Sequence, residues 1–171
     1  MKTVFQLIAI AVGLAIGFTS TCHANGETDG QRYPDEKLTP GAVDPDVTVK
    51  QLCTPHYTAS VRNVSKQTKN EVMREYGLDP KDSSEYEIDH YISLENGGSN
   101  NINNLWPQLY CKVGNDPIKT DCWGAREKDR VETKLHNWLC AGTITLEQDQ
   151  HVLTTDWVAC YKTLVGGKVC N

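Results

Sequence analysis

The stretch EIDHYISLENGGSNNINNLWPQ, residues 87–108, gathers chemistry-bearing side chains in a defined order. Asp89 and His90 stand side by side toward the end of an alternating, strand-like run. Gly97 and Gly98 follow, and five asparagines fall between positions 96 and 104. An imidazole with an ordinary pKa near 6.5 changes charge close to neutrality, so His90 can exchange a proton where most side chains cannot. Gly97-Gly98 permit a tight reversal, which would bring a second strand beginning near Asn104 back beside the pair. There is one geometric objection. A regular strand sends neighbouring side chains to opposite faces, so Asp89 and His90 serve one reaction only if the strand kinks or ends there. The approaching loop favours such an ending.

The elements that must position these residues follow from pattern. Ser65 is a helix cap and Lys66 to Tyr76 a helix, with Val72, Met73 and Tyr76 turned inward and Gly77 as its stop. Residues 53–65 are irregular or extended, and LDPKDSS is a turn. YEIDHYISL alternates as a strand, with Tyr86, Ile88, His90 and Ile92 on one face. NLWPQLY is a short second strand interrupted by Pro107, and residues 111–123 are turn-rich. Gly124 to Cys140 is a helix closed by Gly142. TLEQDQHVLTTDWVACYKTL is a second, continuous helix capped by Thr145, with Leu146, Val152, Leu153, Trp157 and Val158 facing the core. Trp106, Trp138 and Trp157 are expected in the core. Strand, loop, strand and helix make a ββα unit between flanking helices.

The bulk properties bound what this unit belongs to. Lys2 precedes an apolar run from Val4 to Phe18 and a small-residue stretch, the layout of a secretory signal peptide cut after Ala24. The run is short for a membrane span, and a lipoprotein cut at Cys22 is disfavoured by the bulk of Thr21. The expected organisation is a signal peptide over 1–24, a flexible leader over 25–50 and a domain over 51–171. The mature chain is then soluble, secreted or periplasmic, without stable membrane insertion. Loss of Lys2 leaves 16 basic against 22 acidic side chains, a formal charge of −6. That balance speaks against nucleic acid as a partner unless positive charge is concentrated locally or supplied by a metal. Six cysteines remain, an even number, which reads as three disulfides in an exported chain. Spacing favours Cys111–Cys122 as a short loop, Cys160–Cys170 as a tail clamp and Cys53–Cys140 as a long-range tie. A zinc site is the alternative, but no C-x-x-C pair exists.

EIDH, the Gly-Gly turn, the Asn104-Leu105 return and the helix after it together resemble the HNH family of nucleases, the ββα-metal fold. The resemblance extends to a group of small exported HNH-like proteins through CTPHYTASVR (53–62), GAREKDRVETKLHNWLCAG (124–142) and Asp156-Trp157. It covers about two-thirds of the mature chain. It implies an α+β fold: a small ββα-metal (HNH-like) hairpin-plus-helix core with flanking helices, braced by disulfides. It implies His90 as general base, Asp89 as metal ligand, and Asn104 as the residue that steadies the hairpin and orients His90. The chemistry is phosphodiester hydrolysis. It needs a deprotonated water and stabilisation of charge on phosphate and leaving oxygen, which one divalent ion can supply. The ion expected is Mg²⁺ or Mn²⁺, with Zn²⁺ or Ni²⁺ as alternatives. The substrate is DNA before RNA, with little sequence preference, since no base-reading module is visible.

The family commonly places an Asn or His early in the helix as a further ligand, where this chain has Gly124, Ala125 and Arg126. At about 100° per residue, Val131, Leu135, Trp138 and Leu139 form the buried stripe. Asp129, Glu132 and His136 share an adjacent stripe and are the candidates to complete a metal site. Lys128 sits near the buried edge, where it could contact phosphate or pair with a carboxylate. Arg126, Arg130 and Lys134 lie on the other side, as a phosphate track or simply a solvated face. Glu132 and His136 are also spaced as an ordinary surface pair, and Asp129 as a first-turn charge on the helix dipole. His56 and His151 are assigned no role. The sequon at Asn63 matters only in a eukaryotic host. A non-enzymatic exported module that keeps the scaffold to bind a protein or cell-envelope partner is the rival reading. A secreted effector or toxin acting on nucleic acid is a third.

Overall fold

The computed structural model describes residues 32–171 except 113, 115, 167, 169 and 171. The expected signal peptide, its cleavage site and the start of the leader lie outside the described residues. Two strands, β1 (Tyr86–His90) and β2 (Leu105–Leu109), form an antiparallel hairpin. Tyr86 pairs with Leu109, and His90 pairs with Leu105. Pro107 sits opposite Ile88. It is tolerated because each strand of a two-stranded sheet keeps one free edge, where a missing N–H breaks no ladder bond. The expected strand runs to Leu94, but β1 stops at His90 and the chain enters a 3₁₀ turn at Leu94–Asn96. Gly97 takes φ +85°, and a Cβ on Gly98 would stand 1.8 Å from the Ile92 carbonyl oxygen. The first glycine serves the turn, the second the close backbone approach.

Helices surround the hairpin. In chain order they are α1 (Val49–Leu52), α2 (Tyr57–Val61), α3 (Lys66–Glu75), α4 (Pro117–Thr120), α5 (Ala125–Cys140), α6 (Leu146–Thr155) and α7 (Trp157–Val165). Ser65 caps α3 by accepting from the Thr68 N–H at 3.0 Å, and Val72 and Met73 are buried. Helix α3 packs on both strands, whereas α5 packs on β1, α6 and α7. Gly124 opens α5 where a Cβ would meet the Leu109 carbonyl oxygen at 2.5 Å, so only glycine lets the helix start this close to β2. The apolar cluster lies between α5, α6 and α7: Val131, Leu135, Val152, Leu153, Trp157, Val158 and Tyr161, with Trp123 set edge-on against Trp157 and Tyr161. Trp106 is buried on β2, but Trp138 is only half-buried, with Lys134 over its ring.

Three further segments differ from the sequence expectation. The part of the leader that is described is folded, not free: Thr39 is fully buried, donating to the Leu105 carbonyl, and Val43 bridges Gly98. Gly41 N–H donates to the Asn103 carbonyl at 3.0 Å. Polar composition concealed this, because much of the strap is held by hydrogen bonds to the loop rather than by a run of apolar side chains. Residues 53–65, expected irregular, contain α2. The long final helix is two helices, because Asp156 leaves helical geometry at φ −152° and caps α7 through the Ala159 N–H at 2.8 Å. Disulfides join Cys53–Cys140, Cys111–Cys122 and Cys160–Cys170, the pairing that spacing favoured. Three disulfides fit an oxidising compartment. No helix among the described residues is long and apolar enough to cross a membrane.

Candidate functional site

Because β1 ends at His90, the Asp89-His90 pair sits at the junction of strand and loop, and α5 approaches β1 there. Both residues are buried, with His90 at 1% exposure. One oxygen of Asp89, Oδ1, accepts from the His90 backbone N–H at 2.7 Å. The other, Oδ2, accepts from Lys128 Nζ at 2.8 Å. Lys128 is fully buried and also donates to the His90 carbonyl at 2.8 Å and to Glu132 Oε1. Asp89, Lys128 and Glu132 thus form one buried ion network that ties hairpin to helix. Burial alone would pull the Lys128 ammonium below its ordinary pKa. Asp89 and Glu132 more than offset this and hold it above the usual lysine range. Glu132 is raised by burial, with Lys128 opposing and Asp89 adding to the rise.

The His90 imidazole faces the other way. Its Nε2 lies 3.3 Å from Asn100 Oδ1. The Asn100 amide is oriented by two backbone contacts: Nδ2 donates to the Val61 carbonyl at 2.8 Å, and Oδ1 accepts from the Asn63 N–H at 3.1 Å. An oxygen held toward Nε2 makes that nitrogen the N–H of the ring and leaves the lone pair on Nδ1. Nδ1 makes no hydrogen bond among the described residues. Burial pushes the His90 pKa down to about 4; Asp89 and Asn100 oppose this, while Arg62 and Lys128 add to the fall. The imidazole is therefore neutral near pH 7, and a weaker base than a free one. Arg62 itself is exposed at the end of α2.

The remaining candidates separate. Asn104 is fully buried and locks the loop: Oδ1 accepts from the Ile92 N–H at 3.0 Å, and Nδ2 donates to the carbonyls of Ile92 and Ser99 at 2.9 Å. The side chain that touches the imidazole is Asn100, not Asn104. Glu132 belongs to the Lys128 network. Asp129 stays on the exposed side of α5, yet partial desolvation and the nearby Glu87 and Asp89 carboxylates raise its pKa to about 6. His136 makes its contacts elsewhere. Its Nδ1 meets the Glu95 carbonyl at 2.8 Å and its Nε2 lies 3.6 Å from Cys140 Sγ, beside a cleft of about 380 Å³ lined partly by His56 and Tyr57. Arg126 stacks over Tyr110, and Arg130 donates to the Tyr161 hydroxyl at 3.0 Å. These two cations and Lys134 are each engaged with a ring or hydroxyl of the protein itself.

The donor set does not fit a divalent ion as folded. Asp89 has both oxygens engaged by N–H donors, and Glu132 accepts from the same ammonium. Among the described residues no group of three or more His, Cys, Asp or Glu is arranged to hold a metal ion. Sequence reasoning missed Asn100, which comes from the β1–β2 loop and is held by the α2–α3 connection, and Arg62, which lies in that connection. It also missed Asp149, which is buried on α6. There Oδ2 accepts from Asn96 Nδ2 at 2.6 Å and Oδ1 is unpartnered. The repeated asparagines of 96–104 were the only signal, since their spacing does not say which one turns toward the imidazole. Fold and site together define a disulfide-braced α+β protein with a charged hairpin–helix junction. The chain matches no family model, no curated protein and no solved structure.

Proposed function

We propose that the protein is an exported, HNH-like phosphodiesterase that hydrolyses DNA before RNA with little sequence preference. The observation that carries this reading is His90 at the end of β1: neutral, fixed at Nε2 by Asn100, free of hydrogen bonds at Nδ1, and influenced by the exposed Arg62. In this reading Nδ1 takes the proton of the attacking water while Nε2–H stays on Asn100; the bond from phosphorus to the leaving oxygen breaks, and that oxygen takes a proton from solvent. Asp89 favours the imidazolium that forms, and Arg62 meets the negative charge on the phosphate oxygens. A substrate reaches the buried ring when the contacts of Asn100 with residues 61–63 open. The Mg²⁺ or Mn²⁺ implied by the family resemblance enters no step, because Lys128 engages the oxygens such an ion would need.

Purified, oxidised protein should nick supercoiled plasmid, and His90→Ala should abolish the nicking while keeping the fold. Absence of cleavage of DNA and RNA, in chelator and with each of Mg²⁺, Mn²⁺, Zn²⁺ and Ni²⁺, would remove the enzymatic reading. A second reading, an exported binding module on the same scaffold, is favoured by two observations: His90 is 1% exposed, and the Lys128 ammonium has all three protons engaged. It predicts a well-folded His90→Ala variant that binds the same partner as the wild type.

A further inference from the structure

The hairpin–helix junction is built from three oxygens around one cation. Asp89 supplies a carboxylate oxygen from β1, the His90 carbonyl supplies a second, and Glu132 supplies a third from one turn along α5. An all-oxygen set with two carboxylates is the kind that hard divalent ions take. Here the cation is the Lys128 ammonium. It is tethered to the same helix as Glu132, four residues away. It uses all three of its protons, and its side chain is 0% exposed.

Two physical consequences follow. A divalent ion entering this set must expel the ammonium, and an ammonium left buried without partners is strongly disfavoured. If the ammonium stays, a doubly charged ion has to share a dry site with a charge of the same sign, where repulsion is weakly screened. Either route opposes metal entry. The ammonium needs no dehydration from outside and no concentration in solution, because the chain supplies it.

We infer that Lys128 is the resident cation of this junction, and that the native protein binds no divalent ion at Asp89 and Glu132. Removing the ammonium exposes the oxygens and turns the junction into a site for a hard ion such as Mn²⁺. This goes beyond the phosphodiesterase reading and stands whether or not the protein cleaves nucleic acid; if it does, cleavage persists in chelator.

The test follows Mn²⁺ binding to the full oxidised chain by melting temperature and by the electron paramagnetic resonance signal of free Mn²⁺. Wild type should show no saturable loss of free signal at Asp89 and no shift in melting temperature between chelator and millimolar Mn²⁺. Lys128→Ala should melt lower than wild type and gain several degrees on adding Mn²⁺. The gain should vanish in Lys128→Ala/Asp89→Asn. Should Lys128→Ala not fold, Lys128→Met is measured in its place, and the wild-type titration decides by itself. Saturable Mn²⁺ binding to wild type that Asp89→Asn abolishes overturns the inference. Plasmid nicking in the same samples separates the two ideas. A silent titration with no nicking removes the enzyme and leaves the resident cation, and nicking that requires metal bound at Asp89 does the reverse.

Discussion

The hairpin–helix junction and the α5–α6–α7 cluster are both dry, but they are held by different physics. The first consists of Asp89, Lys128 and Glu132, with each polar contact specified to an atom. The second is Trp123, Trp157, Val131, Leu135 and their neighbours, whose contacts are non-directional and many. Apolar packing loses stability roughly in proportion to what is removed. A buried ion network does not. Removing one member strands the others, while replacing all of them together can be nearly neutral. Helix α5 carries both regimes on one cylinder, with Lys128 and Glu132 on the side toward β1 and Val131 and Leu135 in the apolar cluster. The contact between β1 and α5 therefore rests on charge placement, while the contact of α5 with α6 and α7 rests on apolar packing.

Mutation can break that comparison. Lys128→Met should destabilise by about 3–5 kcal/mol, because two carboxylates stay buried without a counter-charge. The triple change Lys128→Met/Asp89→Asn/Glu132→Gln should recover most of the loss, as read by urea unfolding. In the other region, Trp157→Ala should cost a similar ~3–5 kcal/mol, with no partner change that restores it. Equal recovery in both regions, or in neither, would dissolve the distinction.

Proton uptake sharpens it. The folded His90 pKa of about 4 lies below the ordinary 6.5. The unfolded chain then binds the extra proton, and the stability linked to His90 is complete above about pH 6.5 and lost as pH falls toward 4. A shift of that size is worth roughly 3 kcal/mol. Asp149, raised to about 7 mainly by burial, has the opposite sign: its contribution is present at low pH and lost as pH rises through 7. Comparing His90→Gln with wild type isolates the first effect as a shallower fall in stability between pH 6.5 and 4. Val158→Ala, in the apolar cluster, should lower the whole curve and keep the wild-type slope.

The smallest effect concerns Asn100. Asn100→Ala loses the contacts to Val61, Asn63 and His90 and should cost about 1–2 kcal/mol. Its sharper readout is the ring itself: nitrogen NMR should show His90 shifting from the Nε2–H form toward a mixture of tautomers. An unchanged tautomer would mean that Asn100 does not orient the imidazole.

Much of this was legible from residue types. The Gly97-Gly98 reversal, the capped α3 and the amphipathic α5 all follow from local pattern, because turns, caps and helical stripes depend on neighbours a few residues apart; the bracing role of Asn104 came only from the family resemblance. The breaks were less legible. Asp156 reads as one more polar residue in a helical run, and only its cap to Ala159 shows why the helix restarts there. Lys128 and Glu132 read as edge and surface positions, since an isolated lysine or glutamate is far more often solvated than buried. Their burial depends on Asp89, which lies 39 positions from Lys128 in the chain.

By itself, the sequence determined the order of strand, turn, strand and helix and the spacing of the six cysteines from Cys53 to Cys170, which anticipated the three bridges, because these rest on short-range geometry and covalent chemistry. Only the tertiary structure decided which charge answers Asp89, which asparagine fixes the imidazole, and that residues 39–44 strap the loop. Those are encounters between distant segments, and a buried charge or amide is satisfied by whichever group the fold brings within hydrogen-bond distance.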